Sequence, residues 1–204
     1  AANDLNQPAL REKHIVASVA NYDVVIFQEL FDHDLRARLT NDMTAHYPYH
    51  SRVVGGDSAK PWTGGVMIFS KWPIEREEQI VYHASSGVDS FAAKGAAYVR
   101  IAKKDQHYNV FGTHLESGDS SDTVRTRIKQ LAELENFIDR MTIRKDEPLV
   151  ISGDMNIDEF SLEAPTLFDS LHVSKIIHTV YLYSFEAFVN TMASGKNRSR
   201  IDYV

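Results

Sequence analysis

Pro148-Leu149-Val150-Ile151-Ser152-Gly153-Asp154-Met155-Asn156 sets the terms for reading the rest of this chain. An apolar run behind a proline fits a short core strand. Gly153 lets the backbone turn sharply at its end, and Asp154 and Asn156 follow two residues apart. In extended chain, positions i and i+2 face the same side, so a carboxylate and a carboxamide project together from a rigid base. A hydrolytic site uses such a pair: a fixed anion to orient water and a neutral donor to meet developing negative charge. Ordinary strand-end turns use the same residue types, so the weight falls on what the other strands carry.

Three more apolar strands stop at polar residues. Residues 24–27 run into Gln28-Glu29, residues 108–112 into Thr113-His114, and Arg200-Ile201 into Asp202. A sheet holds such tips still while the loops between them admit substrate. Each tip also has a plain reading: Glu29 as a solvated strand end, His114 as a packed histidine, Asp202 as an ion-pair partner of Arg198 or Arg200.

Between the tips, the pattern alternates helix and strand. Asn6 caps a first helix with Pro8 in its opening turn and Leu10, Ile15, Val16 and Val19 on its apolar side. Asp32 caps a second, with Leu35, Leu39 and Met43 spaced four apart. Strands are expected at 50–54, 64–70, 74–82, 96–103 and 108–113, with a hairpin turn at 104–107. Residues 121–141 form the clearest helix, with Val124, Ile128, Leu131, Leu134, Phe137, Ile138 and Met141 as one wide apolar face. A short helix follows at 162–171, residues 184–197 fit neither state, and 200–204 read as a last strand.

The 204 residues suffice for one sizeable core and do not require two domains. Hydrophobic residues at 43% and charged residues at 25% are ordinary for a globular chain. There is no cysteine, so no disulfide can staple the fold. The net charge of −6 argues against a broad phosphate-tracking surface for nucleic acid.

Gln28-Glu29, Gly112-Thr113-His114-Leu115, Gly153-Asp154-Met155-Asn156 and Arg200-Ile201-Asp202-Tyr203-Val204, in that order, resemble the endonuclease/exonuclease/phosphatase superfamily of DNase I-like hydrolases. Gly64-Gly65-Val66 through Ser70-Lys71-Trp72-Pro73-Ile74 is similar to another of its segments. Within the superfamily, residues 90–98 and Thr113-His114-Leu115-Glu116-Ser117 look like the bacterial neutral sphingomyelinases. The resemblance implies an α+β fold of four layers, α/β/β/α, with two packed mixed sheets flanked by helices. Residues 1–204 would form one catalytic domain, incomplete at both ends. An asparagine-tipped strand is expected before residue 1, and a strand pair with an Asp-His dipeptide after Val204.

The resemblance also implies roles. Glu29 would hold the divalent cation, usually Mg²⁺; His114 would hydrogen-bond the scissile phosphate; Asp154 would orient or activate the attacking water; Asn156 would stabilise the crowded phosphorus centre. Asp202 would pair with a histidine base near the family's C-terminus. The implied reaction is hydrolysis of sphingomyelin to ceramide and phosphocholine at a phospholipid membrane surface. The implied protein is secreted and monomeric, with no nucleic-acid partner, and its Ala1-Ala2-Asn3 start fits a cleavage site. Trp62, Tyr82 and Phe91 are candidate walls for the choline cation, or packing residues. A nuclease or phosphoinositide phosphatase on the same scaffold, and a lipid-binding relative without catalysis, stay open at this stage.

Overall fold

The computed structural model describes residues 8–174, 182–187 and 197–204. Its elements are α1 (Pro8–Val19), β1 (Val24–Phe27), α2 (His33–Met43), β2 (Tyr49–His50), β3 (Met67–Ser70), β4 (Ile74–Val81), a 3-10 turn (Gly87–Phe91), β5 (Gly95–Lys103), β6 (Gln106–His114), α3 (Ser121–Arg140), β7 (Leu149–Asp154), α4 (Ala164–Leu171), β8 (Phe185–Glu186), β9 (Arg198–Ser199) and β10 (Asp202–Tyr203). Asn6, the expected first cap, lies outside the described residues, as do 188–196 of the segment that fitted neither state.

Two sheets stack face to face. One is β1-β3-β2, antiparallel throughout; the other is β10-β7-β6-β5-β4, with β6 and β7 parallel and the remaining pairs antiparallel. Strand alternation sends neighbouring residues into different cores. Val24, Ile26 and Ile68 from one sheet meet Ala97, Val99, Ile101 and Val110 from the other. Val25, Phe27, Met67 and Phe69 face outward to Val16 and Val19 of α1 and Leu39 and Met43 of α2. Tyr98, Phe111 and Ile151 face the opposite way, onto Leu131, Leu134 and Phe137 of α3 and Leu167 of α4. The order is therefore helix, sheet, sheet, helix, in the DNase I-like manner.

Local signals account for much of this. The Asp32 side chain accepts from the Leu35 N–H at 2.7 Å, which caps α2. Lys104, at φ 56°, makes the turn between β5 and β6, and β6 resumes at Gln106 rather than Tyr108. The strand expected at 50–54 is regular only at Tyr49–His50. Beyond it the Ser51 N–H still reaches the Ile68 carbonyl at 2.8 Å, and the Val54 N–H the Val66 carbonyl at 3.0 Å. On α3, Ile128 is 46% exposed, while Arg127 and Gln130 are buried in its place. Arg127 can enter the core because Glu163 takes its guanidinium at 2.7 Å and the Glu116 and Gly118 carbonyls accept from it.

An apolar cavity of about 340 Å³ opens between the sheets, among Val24, Ile26, Val110, Val150 and Val204. Among the described residues, β10 pairs with two residues of β7, Gly153 and Asp154.

Candidate active site

All the polar tips come out at one end of the sandwich. β6 and β7 run parallel with His114 opposite Asp154, and β10 runs antiparallel to β7 with Asp202 opposite Asp154. Residues directly opposite in a ladder put their side chains on the same face. His114, Asp154 and Asp202 therefore form a row across three neighbouring strands, with Asp154 in the middle. His114 Nε2 lies 3.9 Å from Asp154 Oδ2.

Gly153 is what permits this row, though not by turning. It stays in β7 opposite Thr113, and a Cβ there would fall 2.0 Å from the Thr113 carbonyl oxygen. The bare backbone lets the two strands close up. Nor do Asp154 and Asn156 meet by simple strand alternation. Asn156 sits at φ 50°, its N–H donates to Asp154 Oδ1 at 2.8 Å, and its side-chain Nδ2 donates to the Leu115 carbonyl at 3.0 Å. Asparagine tolerates this left-handed conformation better than most residues.

Glu29 reaches the same end from the other sheet. It sits at φ 60° just past β1, is exposed, and is fixed by the Leu30 N–H on the Gly65 carbonyl at 3.0 Å. Gly65 is itself at φ +69°, and a Cβ on it would stand 2.8 Å from the Leu30 nitrogen and 3.0 Å from the Glu29 Cα. The glycine pair read earlier as a strand start is thus a seat for the glutamate turn.

The electrostatics mark Asp154 as the crowded centre. Burial, and then the charge of Asp202, push its carboxyl up to about 7; the Asn156 N–H and Lys94 act against this, and Glu29 adds to it. Partial desolvation raises Asp202 too, against a hydrogen bond from Ser184. Arg200 pairs with Glu159 at 2.6 Å rather than with Asp202.

His114 is 3% exposed. Burial, and then the neighbouring Lys94 ammonium, hold its pKa down to about 3, with Asp89 opposing, so the ring is neutral at ordinary pH. Lys94 is a buried charge beside His114 that the sequence reading missed. Buried at the start of β5, it donates to Asp89 Oδ2 at 2.7 Å, to the Leu115 carbonyl at 2.7 Å and to His114 Nε2 at 3.2 Å. Three contacts use all three ammonium hydrogens, so Nε2 is the acceptor and Nδ1 carries the ring proton. Nδ1 is buried and has no hydrogen-bond partner among the described residues. Asp89 is held in turn by the Ser117 N–H and hydroxyl, both at 2.8 Å. A lysine inside the small, apolar run Phe91-Ala92-Ala93-Lys94-Gly95-Ala96-Ala97 was the available signal.

The three candidate aromatic walls do not assemble. Tyr82 is buried, with its hydroxyl on Thr113 at 2.7 Å. Trp62 and Phe91 are exposed and pack on each other.

Among the described residues, no three His, Asp or Glu side chains converge to cage a metal ion. The donor chemistry still suits a hard cation. Mg²⁺ commonly takes one or two carboxylates and completes its shell with water and substrate phosphate. Glu29 supplies one solvent-reached carboxylate, and the mutual repulsion with Asp154 is what a cation would relieve.

Residues 2–204 match the model of the Endonuclease/Exonuclease/phosphatase family. A Sphingomyelinase C of Leptospira interrogans is 34% identical over 203 residues, which cover 90% of this chain and 36% of that protein. This chain thus spans about a third of that relative's length. Among solved structures, a hairpin deletion mutant of beta toxin from Staphylococcus aureus superposes with a TM-score of 0.91 at 29% identity, covering 97% of this chain and 79% of that one. Another beta toxin mutant from the same organism, with bound magnesium ions, superposes at 0.87 with 27% identity, covering 96% and 75%.

Proposed function

The chain belongs to the Endonuclease/Exonuclease/phosphatase family, and we propose that within it the protein is a divalent-metal-dependent phosphodiesterase that hydrolyses sphingomyelin to ceramide and phosphocholine. The observation that carries the proposal is the His114–Asp154–Asp202 row facing Glu29, in a chain 34% identical to a sphingomyelinase C.

The chemistry follows from the side chains. Glu29 would hold Mg²⁺, which when bound neutralises charge on the phosphate and on the departing alkoxide. Asp154 orients the attacking water for in-line approach to phosphorus. Asn156 has committed one amide hydrogen to Leu115 and keeps the other for a phosphoryl oxygen. Lys94 brings a fixed positive charge to the place where negative charge develops, in a site partly withdrawn from water. His114, held neutral, contributes a polar ring without a second charge, and the family resemblance implies that its Nδ1–H, without a partner among the described residues, meets the scissile phosphate. Asp202 would orient the histidine that the family resemblance implies as base; that histidine would take the water's proton, and the ceramide oxygen, leaving as an alkoxide, would be protonated by solvent.

The same reading makes the partner a phospholipid surface and the protein a secreted monomer. Among the described residues, no helix is long and apolar enough to cross a membrane. The net charge of −6 favours a lipid over a nucleic acid as substrate.

The test offers sphingomyelin, duplex DNA and inositol phosphates, each with Mg²⁺, to the full-length protein. Phosphocholine release is expected, and its loss in Glu29→Gln and His114→Ala variants that fold normally. Turnover of DNA without turnover of sphingomyelin would end the lipid reading; activity on none of the three would leave a lipid-binding relative without catalysis.

A further inference from the structure

The end of the sandwich that carries the site also exposes a run of apolar side chains. Trp62 is 55% exposed, Val88 75% and Phe91 53%. All three stand on loops leaving the sheets at that end. Residues 51–66 lead into β3, whose Met67 pairs with Phe27 at the close of β1; residues 82–94 lead into β5, whose Ala96 pairs with Thr113 next to His114. The Trp62 and Phe91 rings meet edge to face with centroids 6.2 Å apart. Folding does not call for an exposed tryptophan, valine and phenylalanine on adjoining loops, and such patches mark interaction surfaces.

The patch is prefolded. The Trp62 N–H donates to the Phe91 carbonyl at 3.2 Å, the Ala93 N–H to the Trp62 carbonyl at 2.9 Å, and the Ala92 N–H to the Asp89 carbonyl at 3.0 Å. Lys60 Nζ donates to the Ala92 carbonyl at 3.0 Å. The 3-10 turn that exposes Val88 and Phe91 sends Asp89 the other way, into its ion pair with Lys94. Backbone already satisfied in this way enters an apolar medium at little cost. Tryptophan favours the headgroup boundary of a bilayer, and phenylalanine and valine the acyl boundary below it. Trp62, Val88 and Phe91 themselves carry no charge, the 51–66 loop also exposes the carboxylate of Asp57, and a chain of net charge −6 gains nothing from an anionic membrane.

We propose that Trp62, Val88 and Phe91 form a seating surface through which the protein docks on a zwitterionic phospholipid bilayer, beside its own cleft. The choice of lipid as occupant rests on the phosphodiesterase reading above. The surface is continuous with the site, because Phe91 and Lys94 belong to one short segment whose two ends serve membrane and cleft.

The chain has two tryptophans, which makes the test direct. Trp72 lies at the far end, its Nε1 on Asp23 at 3.0 Å. In the full-length protein, Trp72→Phe together with phenylalanine at every tryptophan outside residues 1–204 leaves Trp62 as the reporter. With vesicles of phosphatidylcholine and sphingomyelin carrying brominated acyl chains, Trp62 emission is expected to shift to the blue and be quenched, at low and high salt alike. Trp62→Phe, which leaves Trp72, is expected to show neither change. Trp62→Ala/Val88→Ser/Phe91→Ala is expected to weaken vesicle partition at least about tenfold. Hydrolysis of vesicle sphingomyelin should fall with it, while a water-soluble short-chain sphingomyelin is turned over as before. Tyr22→Ser, an exposed apolar side chain at the opposite end, is expected to change nothing. Should the triple variant unfold, Val88→Ser alone gives the same direction. Unquenched Trp62 on vesicles that the protein still hydrolyses would overturn the proposal. An equal loss on the soluble substrate would overturn it too, placing the aromatic pair in a headgroup pocket. Quenching with no hydrolysis of either substrate would support the seating surface and remove the phosphodiesterase reading.

Discussion

Replacing Lys94 by methionine keeps the aliphatic stem and removes a buried ammonium, which makes it the sharpest test of how the site is built. The lysine side chain is 5% exposed, and its partner Asp89 17%. Removal strands Asp89, which keeps two contacts from Ser117 and loses the one at 2.7 Å to the ammonium. It also frees the Leu115 carbonyl and His114 Nε2 of their donor. Removing one partner of a buried ion pair costs about 3–5 kcal/mol. Because Asp89 is partly reached by water and retains Ser117, the lower end, about 3 kcal/mol, is expected. Asp89→Asn/Lys94→Met, with both charges gone, should recover at least about 1 kcal/mol of that loss, since no uncompensated charge remains. Urea unfolding followed by circular dichroism measures both. Activity should separate from stability: both variants should lose about 10²–10³-fold in kcat if the charge acts on the transition state. A Lys94→Met variant within about 0.5 kcal/mol of the parent in stability would refute the buried-pair argument. A double variant that regains kcat along with stability would refute the electrostatic one.

Further expectations follow from single features. Gly153→Ala drives a methyl into the Thr113 carbonyl, 2.0 Å away, and should cost about 3 kcal/mol or more in urea unfolding as β7 is pushed off β6. Glu29→Gln should abolish Mg²⁺-supported turnover yet leave the urea midpoint unmoved, because Glu29 is exposed; likewise EDTA should remove activity without unfolding the chain. Glu147 tests pH dependence far from the cleft. Arg100, and then Asn109, pull its carboxyl from an ordinary 4.5 down to about 2. A carboxyl lowered on folding adds stability that is complete above its unfolded value and lost as pH falls toward the folded one. Thermal midpoints of the parent and Glu147→Gln should therefore differ more at pH 5 than near pH 2; an equal difference at both would contradict the assignment.

Much of the site is legible in the sequence. Apolar runs that stop at Glu29, His114, Asp154 and Asp202 are a local signal, because burial of a strand and solvation of its tip depend on the residues in that strand alone. The Asp32 cap and the long amphipathic stretch of α3 are local in the same sense, and both appear in the structure. Lys94 was not legible as a charge partner. A lysine among alanines and glycine declares nothing until a turn five residues upstream swings Asp89 onto it. The exchange of Ile128 for Arg127 on the buried face of α3 has the same origin: Glu163 lies 36 residues away in the chain.

The sequence by itself determined the long strands and helices, though not the short pair β8 and β9, and it determined that the residues at the strand ends are acidic, amide and imidazole. Tertiary structure alone decided that they share one cleft. Parallel pairing of β6 with β7, antiparallel pairing of β10 with β7, and close approach at Gly153 align His114, Asp154 and Asp202 in a single row. The physical reason is range: burial periodicity is a property of a few neighbouring residues, whereas strand register, and the pKa values and ion pairs that depend on it, is set by contacts between segments tens of residues apart.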